Sequence, residues 1–386
     1  MAGPAGALVA VMASAVPAAW DRFAQWGPLP ARLLLGALIV LLAASALVPI
    51  NSGRSAVKTS SFVEVLVKSD QAGQTRKRDE DLALYDRAIE RIRHGENYYS
   101  FIVAEHRLAH YPVRPGLAVR LPTLAYLDAW AGLPGQFAGA IALLVAVLLA
   151  WWRRLGEEPG GKRRRVLAIA LLAVGASLGL NRDFFVLHEL WAGMLLALSF
   201  ALHRVKSEQV PGKWGWSLVV ASLALAIREL ALPYVLLMSA MAVWRGDRRE
   251  GLAWGGLALL FLAVLAWHLH FIAVQTLPSD PLSPSWLEMR GLSGWVSNVA
   301  LSSNIRSLPH WLAGPLVMLM VFGWASWRSA AGAFATLLYL GYGLAFMIAG
   351  RGDNYYWGFM VSPAMLIGLA FVPTGLKSLW RAARAR

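Results

Sequence analysis

The sequence predicts an all-α polytopic membrane protein of about ten transmembrane helices, with a long first outer loop that carries juxtamembrane amphipathic helices. Three observations predict it. Apolar residues make up 58% of the 386-residue chain and the mean hydropathy is +0.52. Several apolar runs approach the ~20 residues that cross a bilayer. The basic residues behind the formal net charge of +14 gather in short segments between those runs, as the cytoplasmic side of a membrane protein requires. That distribution makes the lipid bilayer the expected partner and argues against nucleic acid. Cysteine is absent, which excludes disulfides and thiolate metal sites. With no repeat and no compositional break, residues 1–386 read as one integrated body.

Residues 1–30 begin with an Ala-rich stretch broken by Pro17, then Asp21, Arg22 and the turn Gly27, Pro28, Leu29, Pro30. Lacking the basic start of a signal peptide, this part reads as a cytoplasmic interfacial segment, an extra span being the alternative. Residues 32–50 form the first span, and the outer loop 51–135 follows. In it Leu82, Tyr85, Ile89 and Ile92 recur at helical spacing, so residues 81–94 predict an amphipathic helix lying on the bilayer surface. Its polar face carries Asp86, Arg87, Glu90, Arg91 and Arg93. Asp79, Glu80 and Asp81 crowd its start, where the helix dipole favours negative charge.

Residues 116–132 are apolar but hold Arg120, Pro122 and Asp128. If they crossed, the block Arg153, Arg154, Lys162, Arg163, Arg164, Arg165 would land outside, against the charge rule. They are therefore expected to form an interfacial helix, with the second span at 136–152. Further spans follow at 166–180, 184–202, 215–228, 231–244, 252–273, 311–327, 331–349 and 356–376, leaving both termini inside. The outer face keeps three turns and a second long segment, 274–310, whose mixed composition fits a lid or a passive connector.

The outer turns carry charge. The span 166–180 is apolar for only about fifteen residues, roughly 22 Å against a ~30 Å hydrocarbon core, and ends at Asn181, Arg182 and Asp183. The span 215–228 runs out at Arg228 and Glu229, and the third turn holds Arg351, Asp353 and Asn354. Charges at membrane depth face a partner or a wet cavity, so these turns are expected to converge on a polar pocket beneath the amphipathic helix. Arg228 with Glu229, and Arg351 with Asp353, fit structural pairs equally well. His188 and Glu189 sit within the fourth span. A zinc motif would need a second histidine one turn on, where Ala192 stands, so a divalent metal lacks support in the sequence and no cofactor is predicted. His268 and His270 suit an interfacial position, and most of the eighteen tryptophans suit interfacial belts.

The run Asp81 to Tyr85, then Gly95, Glu96, Asn97, Tyr98, Tyr99, then Tyr111, Pro112, Val113, Arg114, Pro115 resembles the first periplasmic loop of GT-C glycosyltransferases. The nearest pattern is that of lipid A aminoarabinose transferases and protein mannosyltransferases, and the likeness covers about residues 30–200. It implies a GT-C-like core there, further spans over 201–386, and a site facing the periplasm of a bacterial cytoplasmic membrane. It also implies a polyprenyl-phosphate sugar donor and a lipid, glycan or protein acceptor. By position, Asp81 matches the loop aspartate of catalysis, Arg114 stands where a lysine contacts the lipid phosphate, and Asp183 matches a second acidic position. The triplet Asp79, Glu80, Asp81 replaces a single Asp-Glu, so Asp79 is a second catalytic candidate. Asp81 also has the place of an N-cap.

Such transfer needs a carboxylate as general base at the acceptor hydroxyl, with attack opposite the phosphate, and cations that balance the leaving group. Glu189 joins the carboxylate candidates. Arg228 and Arg351 join Arg114 as phosphate candidates. Tyr85, Tyr98, Tyr99, His188, Glu229 and Asp353 are the candidates for holding sugar or acceptor. The rival expectation is a transporter or flippase for a lipid-linked saccharide, a class marked by midplane charges and inverted repeats.

Overall fold

The computed structural model describes residues 21–50, 80–157, 161–205 and 212–385. Among them every regular element is helical, and β contacts are limited to isolated bridges. In chain order the helices are α1 (Pro28–Leu47), α2 (Glu80–Arg93), α3 (Tyr98–Leu108), α4 (Thr123–Gly156), α5 (Gly161–Ala176), α6 (His188–Leu202) and α7 (Gly215–Ile227). Then come α8 (Leu232–Trp244), α9 (Arg248–Gln275), α10 (Gly291–Leu301), α11 (His310–Ser326), α12 (Ala330–Ile348), α13 (Ser362–Met365) and α14 (Val372–Arg384).

Among the described residues four stretches can cross a membrane by length and composition: α1, the stretch Gly116–Gly156 that contains α4, α9 and α12. A fifth is possible if α14 and the helical segment Ser362–Ala370, bent by 52° from each other, count as one. Helices α6, α7, α8 and α11 are apolar but shorter. This is the make-up of a multi-pass membrane protein. Exposed leucine, isoleucine and valine side chains along α1 and α9, among them Leu33, Ile39, Val40, Leu252, Leu259 and Leu260, supply a lipid-facing surface.

Each predicted span falls on helical residues, with two informative differences. Residues 356–376 are not one rod: a 3-10 stretch Gly352–Met360, α13, a second 3-10 stretch Leu366–Ala370 and α14 follow one another. Pro363 and Pro373 lie in the first turns of α13 and α14, where a missing N–H is tolerated but a continuous helix is not. The segment 274–310 is not loop throughout, since it contains α10. Gly294 and the run from Val296 to Ala300 are all buried, and a helix covered on most sides shows no amphipathic period.

The core lies where α4, α6, α11, α12 and the 3-10 stretch Leu366–Ala370 meet. Trp151, Trp254, Trp324 and Trp327 are fully buried. The Trp324 indole donates to the Met365 carbonyl at 3.0 Å and Trp151 to the Ala197 carbonyl at 3.1 Å. These tryptophans are structural, whereas Trp130, Trp216, Trp244 and Trp311 stay exposed as belt residues do. Backbones approach closely at small residues: a Cβ on Gly323 would sit 1.8 Å from the Gly368 carbonyl oxygen.

Outside this core, α2 and α3 form a small second layer. Leu84, Ala88 and Ile89 of α2 are buried, packed with α3 and the first part of α4. The apolar face of α2 thus rests on protein rather than on lipid. Two salt bridges to the buried Glu105 of α3 hold it there, from Arg91 at 2.8 Å and Arg87 at 3.1 Å. Helix α4 breaks at Gly132, whose φ of 63° and ψ of 178° interrupt it just before Pro134. The break falls where the charge argument separated surface helix from span.

Candidate functional site

The loop between α3 and α4 borders two features. The first is a buried ion cluster. Arg228 ends α7 and is 1% exposed; its Nε lies 2.7 Å from Glu189 Oε1, in the first turn of α6, and its Nη1 contacts Glu229. The Arg228–Glu189 contact is an ion pair in distance, but its angle does not make a hydrogen bond. Arg120 extends the cluster, 3.8 Å from Glu229 and donating to the Tyr85 hydroxyl at 3.3 Å. Tyr98 donates to the Arg120 carbonyl at 2.7 Å. Burial pushes the Tyr98 phenol up, so it stays a neutral donor. The Tyr85 ring packs edge-on to His188 at 5.3 Å.

Tyr85, Tyr98, Arg120, Asp128 and His188 line a cavity of about 10 Å³ beneath α2, room for roughly one water. Asp128 Oδ2 and His188 Nε2 are buried there with no hydrogen-bond partner among the described residues. The cluster sits where two short apolar helices meet: α6 begins at His188 and α7 ends at Ile227, so their terminal charges are buried and pair with one another.

The second feature is an open groove of about 620 Å³ along the C-terminal end of α9. Leu269, Ala273, Thr276, Leu277 and Pro278 form one wall, and Arg114, Pro115, Gly116 and Leu117 the other. A Cβ at Gly116 would meet Leu269 at 3.2 Å, so glycine lets the loop approach the helix. Arg114 Nε is buried without a hydrogen-bond partner among the described residues. The backbone of Arg114 is pinned to the segment after α9 by Ser283 N–H at 2.7 Å and Pro281 O at 3.3 Å. Arg107 holds the same segment through two hydrogen bonds to Asp280, 2.5 and 2.9 Å. These bonds hold the Asp280 carboxyl down at about 2.

Of the residues expected in one pocket, the structure brings together Tyr85, Tyr98, His188, Glu189, Arg228 and Glu229. Arg351 stands apart from this group, bonded to Asp353 at 3.1 Å and to the Pro284 carbonyl at 3.1 Å. Tyr99 faces α9, its hydroxyl 3.0 Å from His268 Nδ1. Asp183 is exposed in a 3-10 turn. Asp81 occupies the first turn of α2, and Asp79 lies outside the described residues. Among the described residues no three acidic or histidine side chains group closely enough to hold a metal ion. Arg120 and Asp128 were visible in the sequence only as interruptions of an apolar run. That was the available signal, because charges in such a run are rarely idle. Comparison with family models, curated proteins and solved structures gave no match.

Proposed function

We propose that the chain is a GT-C-like glycosyltransferase of a bacterial cytoplasmic membrane, crossing it about ten times and acting at the periplasmic face. It moves a sugar from a polyprenyl-phosphate donor to a lipid, glycan or protein acceptor. The observation that carries this reading is the groove beside Arg114. It pairs an apolar wall, Leu117, Leu269, Ala273 and Leu277, with one arginine whose Nε is unsatisfied. A prenyl chain needs the first and a phosphate the second. Arg228, held between two carboxylates, offers a ligand no free face and instead fixes Glu189 and Glu229.

In the proposed reaction the acceptor hydroxyl attacks the anomeric carbon as a loop carboxylate, Asp81 or Asp79, takes its proton. The bond from that carbon to the phosphate oxygen breaks, and polyprenyl phosphate leaves. Arg114 balances the charge that develops on it.

Binding of a short-chain polyprenyl phosphate to the purified protein tests the reading. Arg114→Ala should weaken it more than Arg114→Lys, since a point charge still balances phosphate while the bidentate fork is lost. Unchanged affinity in Arg114→Ala would remove the groove as donor site. Movement of a lipid-linked saccharide across vesicles, without sugar transfer, would favour the flippase reading.

A further inference from the structure

The terminal helix α14 shows a face that neither the core nor the outer site uses. Val372, Gly375, Leu379, Ala382 and Ala383 are buried, packed with Phe23, Ala31, Leu38 and Phe322. Lys377, Trp380, Arg381 and Arg384 follow one another at positions i, i+3, i+4 and i+7, so they share the opposite face, and all four are exposed. Arg384 lies 4.4 Å over the Trp380 ring. The face carries three cations and no carboxylate, and none of the three makes an ion pair among the described residues. Arg164 Nη2 donates to Thr374 Oγ1 at 3.3 Å, which brings the start of α5, with exposed Lys162 and Arg163, alongside. Arg32 ties α1 to the same helix through the Ala383 carbonyl at 2.8 Å.

We infer that this face of α14, with the start of α5, is a docking surface for anionic phospholipid headgroups of the inner leaflet. The 52° bend turns α14 away from the apolar segment before it, as a helix must when it leaves the hydrocarbon and lies along the interface. Trp380 marks that boundary, because an indole prefers the headgroup level. The cations supply the charge complement, each worth roughly fivefold in attraction close to an anionic surface. A soluble anion would have no use for the exposed indole. The inference is independent of what happens at the outer face.

The chain has no cysteine, so a donor fluorophore on Ala385→Cys reports one place. Its energy transfer to acceptor-labelled phosphatidylglycerol is compared with transfer to equally labelled phosphatidylcholine, using the full chain in phosphatidylcholine nanodiscs. Phosphatidylglycerol should be enriched severalfold, and K377Q/R381Q/R384Q should bring the ratio towards one. The charge-conserving K377R/R381K/R384K should keep it, and so should R248Q/R249Q, whose exposed arginines belong to α9. Equal transfer from the two lipids, or an equal fall in R248Q/R249Q, would overturn the inference. If the triple glutamine protein fails to fold, the unmutated chain decides. Enrichment that survives 1 M salt, or that inorganic phosphate abolishes at constant ionic strength, would show that α14 is not an anionic-lipid surface.

Discussion

Arg228 lies between Glu189 and Glu229 with almost no access to water; its removal leaves the buried Glu189 without its arginine, while Glu229 keeps Arg120. Breaking such a pair costs about 3–5 kcal/mol. Arg228→Met should therefore lower the unfolding free energy by about that much in detergent, and adding Glu189→Gln should restore part of it. A single variant as stable as the unmutated chain would mean that water reaches the cluster. Asp81 lies inside the first turn of α2, which begins at Glu80, rather than at the N-cap the sequence suggested. Asparagine keeps its shape but takes no proton, so Asp81→Asn should fold normally and lose turnover by roughly 10²–10⁴-fold. Full activity there, with loss in Asp79→Asn, would move the base by two residues. The pairing of Arg120 with Glu229 was not legible in the sequence, because the partners are more than a hundred residues apart and no local period links them.

At the scale of elements, α2 was legible because its apolar positions repeat at helical spacing, and the break in α4 because a crossing at 116–132 would have turned the basic block from Arg153 to Arg165 outward. Helix α10 was not, since burial on most of its surface erases the pattern that sequence reading relies on. The contact between α3 and the segment after α9 gives a two-step prediction in acid. Burial holds His106 neutral down to about 4, its ring bonded to the Pro112 carbonyl at 2.9 Å. The unfolded chain binds this proton from about pH 6.5, so stability falls as pH drops from 6.5 to 4. Asp280 acts lower. Its carboxyl is depressed from the ordinary 3.8 to about 2 by Arg107; the stability it contributes is complete above pH 4 and lost as pH falls through 2. Hydrogen exchange in residues 98–113 and 276–290 should show both steps. His106→Gln should remove the upper one and Asp280→Asn the lower. A single step untouched by either variant would contradict the assignment.

For the whole molecule, charge placement and apolar runs located the long apolar helices and α2, but not α3, α10, the bend before α14 or the burial of Trp151 and Trp324, which depend on how helices pack. The ten-span arrangement predicts that cysteines placed at Gly160 and Gly212 are shielded from an impermeant reagent in intact cells, and that those at Ala72 and Pro284 are labelled. Labelling at Gly160 would make residues 116–132 a true span and would turn the basic block outward. The most direct measurement of the central claim is photo-crosslinking with a polyprenyl phosphate that carries a reactive group on its first isoprene units. The account predicts adducts on residues 114–117 and 269–278, reduced in Arg114→Ala. Adducts confined to other helices, at the same yield in Arg114→Ala, would contradict it.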